Sequence, residues 1–171
     1  VNALRTGVAG ACAVAALAVL PCAAAAPGAY ADPAFTVPLD AGLRAFYRRD
    51  FAAARDGFTA ALAVVPDNTL ALAFLNATAA QTPGAFDALV AAEEDRLTGD
   101  PHGYVTQLRL GFSYAFSGAL GRDRNDDARE ALEAAAAARP GAAAPHDGLG
   151  ILRENERSIN RIEYAGASGW S

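Results

Sequence analysis

Residues 42–66 read GLRAFYRRDFAAARDGFTAALAVVP, and the punctuation of this stretch decides the fold class. Phe51, Ala54, Phe58, Ala61 and Leu62 recur at helical spacing and share one face. Asp50 stands just before them, where a carboxylate accepts the unpaired N–H groups of a helix start. Pro66 closes the run, because proline has no N–H to donate and biases Val65 away from helical geometry. The spacing predicts a helix over Phe51–Val64, entered by a tight turn at Arg49-Asp50. Much of its apolar face is alanine, which invites a closely packed neighbour.

That neighbour lies upstream. Leu39 to Arg48 carries Leu39, Leu43, Phe46 and Tyr47 at helical spacing. Residues 32–38, DPAFTVP, hold two prolines and are expected to be an extended lead-in. Residues 1–31 have the make-up of a secretory signal. Arg5 supplies a positive start, Val8–Leu20 is an unbroken apolar run ending at Pro21, and Ala29-Tyr30-Ala31 places small residues where a signal peptidase cuts. Cleavage is expected after Ala31, giving a secreted or periplasmic protein. The alternative, a retained anchor, asks for roughly 20 apolar residues, and this run has 13. Pro21 speaks against lipid attachment at Cys22.

Cys12 and Cys22 both fall in this leader, so the remainder has no thiol and no disulfide. It keeps 13 arginines against 19 acidic residues, a formal charge of −6. An acidic domain without a basic cluster is a poor nucleic-acid binder. No second apolar run is long enough to span a membrane.

Downstream, helical patterns alternate with strong breaks. Leu70–Ala80 follows a loop at Pro66-Asp67-Asn68, in which Asp67 or Asn68 caps the helix. Phe86–Leu97 follows Thr82-Pro83-Gly84, with Thr82 as its expected cap. Tyr104–Ser117 follows Gly99-Asp100-Pro101, and Asp126–Ala138 follows a polar loop over 118–125. Pro145–Ile162 follows Pro140-Gly141 and turns increasingly charged after Leu152. The tail over 164–171 is small and reads as flexible apart from Trp170. No stretch reads as a strand.

The prolines at 66, 101 and 140 recur with two helices in each interval. Their spacings of 35 and 39 residues fall in the range that signals stacked helical repeats. Leu75-Asn76, Leu110-Gly111 and Leu149-Gly150 recur in step on the first helices, with Tyr114 after the second pair. The second helices carry Ala54/Phe58/Ala61, then Ala88/Ala92, then Ala128/Leu132/Ala135. This pattern resembles the tetratricopeptide repeat, with Gly42, Ala54, Phe58, Ala61 and Pro66 matching in the first unit. Leu110, Gly111, Tyr114, Ala128, Ala135 and Pro140 match in the third, with extra residues between its helices. In the second unit Asn76 replaces the glycine and Ala92 the aromatic, and the family's tryptophan is missing throughout. The resemblance implies an all-α, tetratricopeptide-like superhelical solenoid over 39–163. It would comprise about three and a half helical hairpins closed by a polar-faced C-terminal capping helix. An alanine-rich bundle with chance periodicity is the alternative.

By the same resemblance, first helices line a concave groove that binds an extended peptide or a partner helix. The lining would comprise Leu43, Phe46, Tyr47, Ala73, Ala77, Leu108, Phe112, Phe116 and Ile151, together with Leu39 and Asp147. The groove would be apolar and aromatic, without the basic residues that clamp a terminal carboxylate. The expected role is a non-catalytic interaction module or scaffold. A carrier of a lipid or other small apolar ligand is the alternative.

Catalytic and metal chemistry find little support. Asp123-Arg-Asn125-Asp-Asp127 alternates oxygen ligands like a calcium loop, but Ala128 replaces its turn glycine and its twelfth position is Ala134. An acidic helix start explains it better. His102 and His146 have no close ligand pair; with Asp147 they form the remaining, hydrolytic alternative. No cofactor is implied. Glu93-Glu94-Asp95-Arg96 reads as a solvated helix face.

Overall fold

The computed structural model describes residues 28–167. The leader's charged start, its apolar run, both cysteines and Trp170 lie outside the described residues. Seven α-helices follow a single 3-10 turn at Ala29–Ala31, and no strand occurs among the described residues. The expected all-α class is what is found.

Helix α1, Pro33–Tyr47, corrects the expected lead-in, because residues 33–38 are helical rather than extended. Asp32 is its cap, accepting the Ala34 N–H at 2.8 Å, and Pro33 occupies the first position, where a missing N–H costs nothing. Pro38 sits inside the helix. Its local cost is offset by burial of Phe35 against Ala61 and Val65.

Helix α2, Phe51–Val64, has the predicted bounds, and Asp50 accepts the Ala53 N–H at 3.2 Å. Arg49 makes the tight turn before it with φ of 63°. Helix α3, Thr69–Ala80, is capped by Asn68, whose Oδ1 accepts the Ala71 N–H at 2.8 Å. Helix α4, Ala85–Gly99, departs from expectation at its start: Gly84, at φ 74°, holds the cap position in place of Thr82 and offers no side-chain bond. Helices α5, Tyr104–Ala119, and α6, Asn125–Ala138, flank a loop shorter than expected. Helix α7, Ala144–Ala167, runs past Ile162 into the stretch expected to be tail.

Each helix packs on the next. The odd-numbered helices also pack among themselves, α1 on α3, α3 on α5 and α5 on α7, and α3 reaches across to α7. The even-numbered helices share no comparable interface, so the odd helices form an inner layer. Phe58, Leu62, Leu72, Leu108 and Leu132 are fully buried between the layers. Each such side chain contributes roughly 1.5–3 kcal/mol.

Glycines set how closely the pairs approach. Gly42 of α1 lies against Gly57 of α2: a Cβ on Gly57 would stand 2.7 Å from both Cα and N of Gly42. Gly111 of α5 lies against Leu132 of α6, whose Cγ would stand 2.6 Å from an added Cβ. These two helix pairs have by far the most extensive contact, whereas α3, with Asn76 at the corresponding place, touches α4 lightly.

Candidate functional site

The inner layer opens into a cleft of about 170 Å³ between α3, α5 and α7. Ala73 and Asn76 line it from α3, Phe112, Ala115 and Phe116 from α5, and Gly148, Ile151 and Asn155 from α7. Local sequence explains each placement. Residues 73 and 76, 112 and 116, and 148 and 151 are three or four apart, hence on one helix face. Gly148 lets α7 come close, because a Cβ there would meet Leu132 and Phe112. Buried Leu152 fixes the rotation of α7, which leaves neighbouring Ile151 41% exposed at the cleft. Phe112 is buried and Phe116 half-buried, its ring resting on Phe86 at 5.8 Å between centroids.

Four of the expected groove residues, Ala73, Phe112, Phe116 and Ile151, therefore meet at one cleft. Phe46 and Tyr47 meet elsewhere, in an aromatic patch with Phe74 of α3, at centroid distances of 5.0 Å and 6.3 Å. Tyr47 is 74% exposed there. Leu43 packs half-buried against the core, and Ala77 is half-buried outside the cleft lining. Leu108 has no exposed surface and is a core side chain, not a groove residue. Asp147 lines a different recess.

Two polar groups at the cleft escape a pattern-based reading. Asn76 is 2% exposed, and its Nδ2 donates to the Leu72 carbonyl at 2.9 Å. Its Oδ1 is buried without a hydrogen-bond partner. Asn155 donates to the Ala115 carbonyl across the cleft at 3.4 Å. The signal for Asn76 was a polar residue in an otherwise apolar helix.

A larger recess, about 470 Å³, is lined by Tyr30, Arg139, Asp147 and the starts of α3 and α7. Its central charges are already engaged. Arg139 pairs with Asp67 at 3.2 Å and covers the Tyr104 ring at 3.8 Å, while the Tyr104 hydroxyl donates to the same carboxylate at 3.2 Å. The arrangement recurs further along α5. Tyr114 donates to Glu94 at 2.8 Å, and Arg124 covers the Tyr114 ring at 3.9 Å and pairs with Glu94 at 3.4 Å. Each clamp ties α5 to a loop and to a neighbouring element. Burial, reinforced by the adjacent carboxylate, pushes both phenols up to about 12.

The acidic run on α4 is not wholly solvated, contrary to expectation. Glu93 is 3% exposed and pairs with Arg96 at 2.6 Å and with Arg109 of α5 at 3.6 Å. Burial pushes the Arg109 guanidinium down from its ordinary value, while Glu93 opposes that shift. At the start of α6, Arg124 holds Asp127 at 2.5 Å, and Asp126 and Asp127 occupy the first turn. His102 and His146 are exposed, and among the described residues no group of His, Cys, Asp or Glu is placed to hold a metal ion. No helix among the described residues is long and apolar enough to cross a membrane. No protein-family model matches the chain, and no curated protein matches it.

Proposed function

We propose that this chain is a non-catalytic interaction module, a tetratricopeptide-like array of helical hairpins capped by α7. It binds an apolar segment of another polypeptide at the α3/α5/α7 cleft. The observation that carries this reading is the convergence of Ala73, Phe112, Phe116 and Ile151, from three helices, on one apolar cleft. Two of them keep enough exposure to meet a partner. The size of the cleft favours a side chain over a lipid, since a cavity of about 150 Å³ takes one benzene-sized group. The leader would direct the module out of the cytoplasm to a secreted or periplasmic partner.

Panning the purified protein against a displayed random-peptide library tests the reading. Selected peptides should carry an apolar anchor and lose binding to Ile151→Asp and Phe116→Asp. Both variants should retain the helical circular dichroism of the parent, because neither side chain is fully buried. Selected peptides that bind both variants as well as the parent would sink the reading.

A further inference from the structure

An exposed aromatic and two uncommitted cations stand together where α1 turns into α2. Tyr47 is 74% exposed, more than any other large apolar side chain among the described residues. Its ring rests edge-on against Phe46 and Phe74. Arg48 and Arg49 follow it in sequence and are exposed, and neither has an ion-pair partner among the described residues. Arg44, one turn back, is by contrast held by Asp40 at 2.6 Å. Arg49 takes a φ of 63°, a left-handed conformation that glycine adopts without strain. Three consecutive residues thus present one phenol and two positive charges, and tyrosine and arginine are the side chains that most often carry binding energy at protein interfaces.

A complementary face lies on the third hairpin. A recess of about 220 Å³ opens between α4, α5 and α6, with Leu97, Leu110, Ala131 and Ala134 as its apolar lining. Its volume suits one phenol, since about 150 Å³ takes a benzene-sized group. Glu130 stands at this recess, and Asp126 and Glu133 share its face of α6 at four and three residues' distance. All three carboxylates are exposed and without an ion-pair partner among the described residues. Like charges at these spacings work against a helix unless something opposite meets them. The cation in the lining, Arg124, is already held by Glu94 and Asp127.

Within one molecule these faces stay apart. Helix α1 packs on α2 and α3 and shares no comparable interface with α5 or α6. A second copy brings them together. We infer that Tyr47 of one copy seats its ring in the α4/α5/α6 recess of another, with Arg48 and Arg49 over Asp126, Glu130 and Glu133. The fit in size and the opposite, uncommitted charges on the two faces select this occupant. The surface is separate from the α3/α5/α7 cleft, so the inference stands or falls independently of the function proposed for that cleft. The contact joins two different faces, so copies add head to tail, as a ring or an open series.

Sedimentation of the full chain tests it. Association should rise with concentration and weaken as salt goes from ~0.05 to ~0.5 M, because exposed charges are then screened. Tyr47→Ser should weaken association about tenfold or more, with circular dichroism unchanged because the side chain is exposed. Arg48→Glu/Arg49→Glu and Glu130→Arg/Glu133→Arg should each remain monomeric. An equimolar mixture of these two should associate again, because every reversed face then meets its complement. Arg49→Gly relaxes the turn, so it should be at least as stable as the parent in urea, yet associate more weakly by up to about fivefold. A parent that is monomeric throughout, or association that persists in both charge-reversed proteins, would overturn the inference. Should the reversals disturb the fold, Tyr47→Ser decides, and association equal to the parent's refutes the contact.

Discussion

Gly57→Ala tests whether close helix approach, more than alanine content, holds the first hairpin together. The added Cβ would stand 2.7 Å from Gly42 Cα and N and 2.8 Å from the Pro38 carbonyl oxygen. All three are backbone atoms, so no side-chain rotation relieves the contact. Carbon atoms pack best at ~3.5–4.0 Å, and α1 and α2 would have to part by roughly 1 Å. Overpacking of this kind costs typically ~1–3 kcal/mol, and rigid neighbours place this site at the upper end. Alanine returns about 1 kcal/mol of helix propensity. The net expectation is a loss of about 2 kcal/mol, or ~4–8 °C in Tm for a chain of this size. Gly150→Ala on α7 is the matched control, because nothing lies within 4 Å of its Cβ. It should gain up to about 1 kcal/mol. Urea and thermal melts followed by circular dichroism read both variants. A Gly57→Ala protein as stable as the parent would refute the packing argument, and an equal gain in both variants would point to helix propensity alone.

The two clamped tyrosines set an alkaline limit. Their phenols are raised from 10.0 to about 12, so the folded state holds these protons more tightly than the unfolded chain. That stabilisation is complete below pH ~10 and is lost as pH rises towards ~12; a Tyr104→Phe/Tyr114→Phe protein should show a flatter fall of Tm over that window, and an unchanged slope would count against the clamps. Arg109→Leu leaves the buried Glu93 carboxylate with exposed Arg96 alone and should cost up to about 3 kcal/mol. Adding Glu93→Leu should recover part of that loss in urea titrations, and a double variant as unstable as the sum of the singles would show that the pair is not coupled.

Punctuation was the most legible part of the chain. Asp50 and Pro66 set the ends of α2, and Asn68 capped α3, because caps and prolines act through neighbours in sequence. The same logic failed over residues 32–38, although Asp32-Pro33 is itself a helix start, an acidic cap followed by proline at the first position. Pro38 hid that signal, and what overrides it is burial of Phe35, a long-range contact with α2. Gly57 also had a local trace, since a mid-helix glycine costs stability and asks for a packing reason. Its partner, Gly42 on the preceding helix, is visible only in three dimensions. Glu93 looked solvated because its run is charged, while the arginine that follows it inward stands on the next helix. The cleft residues on α3, α5 and α7 were legible through their recurrence on first helices. The aromatic patch at Phe46, Tyr47 and Phe74 separated from them, because helical periodicity gives the face of a helix but not which neighbour that face meets.

The lighter α3/α4 contact and the cleft meet at one residue, Asn76. Where α1 and α5 offer glycine, the following helix packs closely: α2 onto Gly42, α6 onto Gly111. Asn76 stands at the corresponding place in α3 and is too large to allow such an approach, and α3 touches α4 lightly. Helix α3 instead makes its contacts inward, with α5 and across to α7. The buried amide thus stands both beside the lighter hairpin contact and in the cleft wall. An acceptor left unpaired in that wall costs about 1–3 kcal/mol, which glycine or alanine would avoid. Asn76→Ala should therefore be at least as stable as the parent in urea titrations, and a loss of more than about 1 kcal/mol would show that the amide, through its bond to the Leu72 carbonyl, holds α3 together.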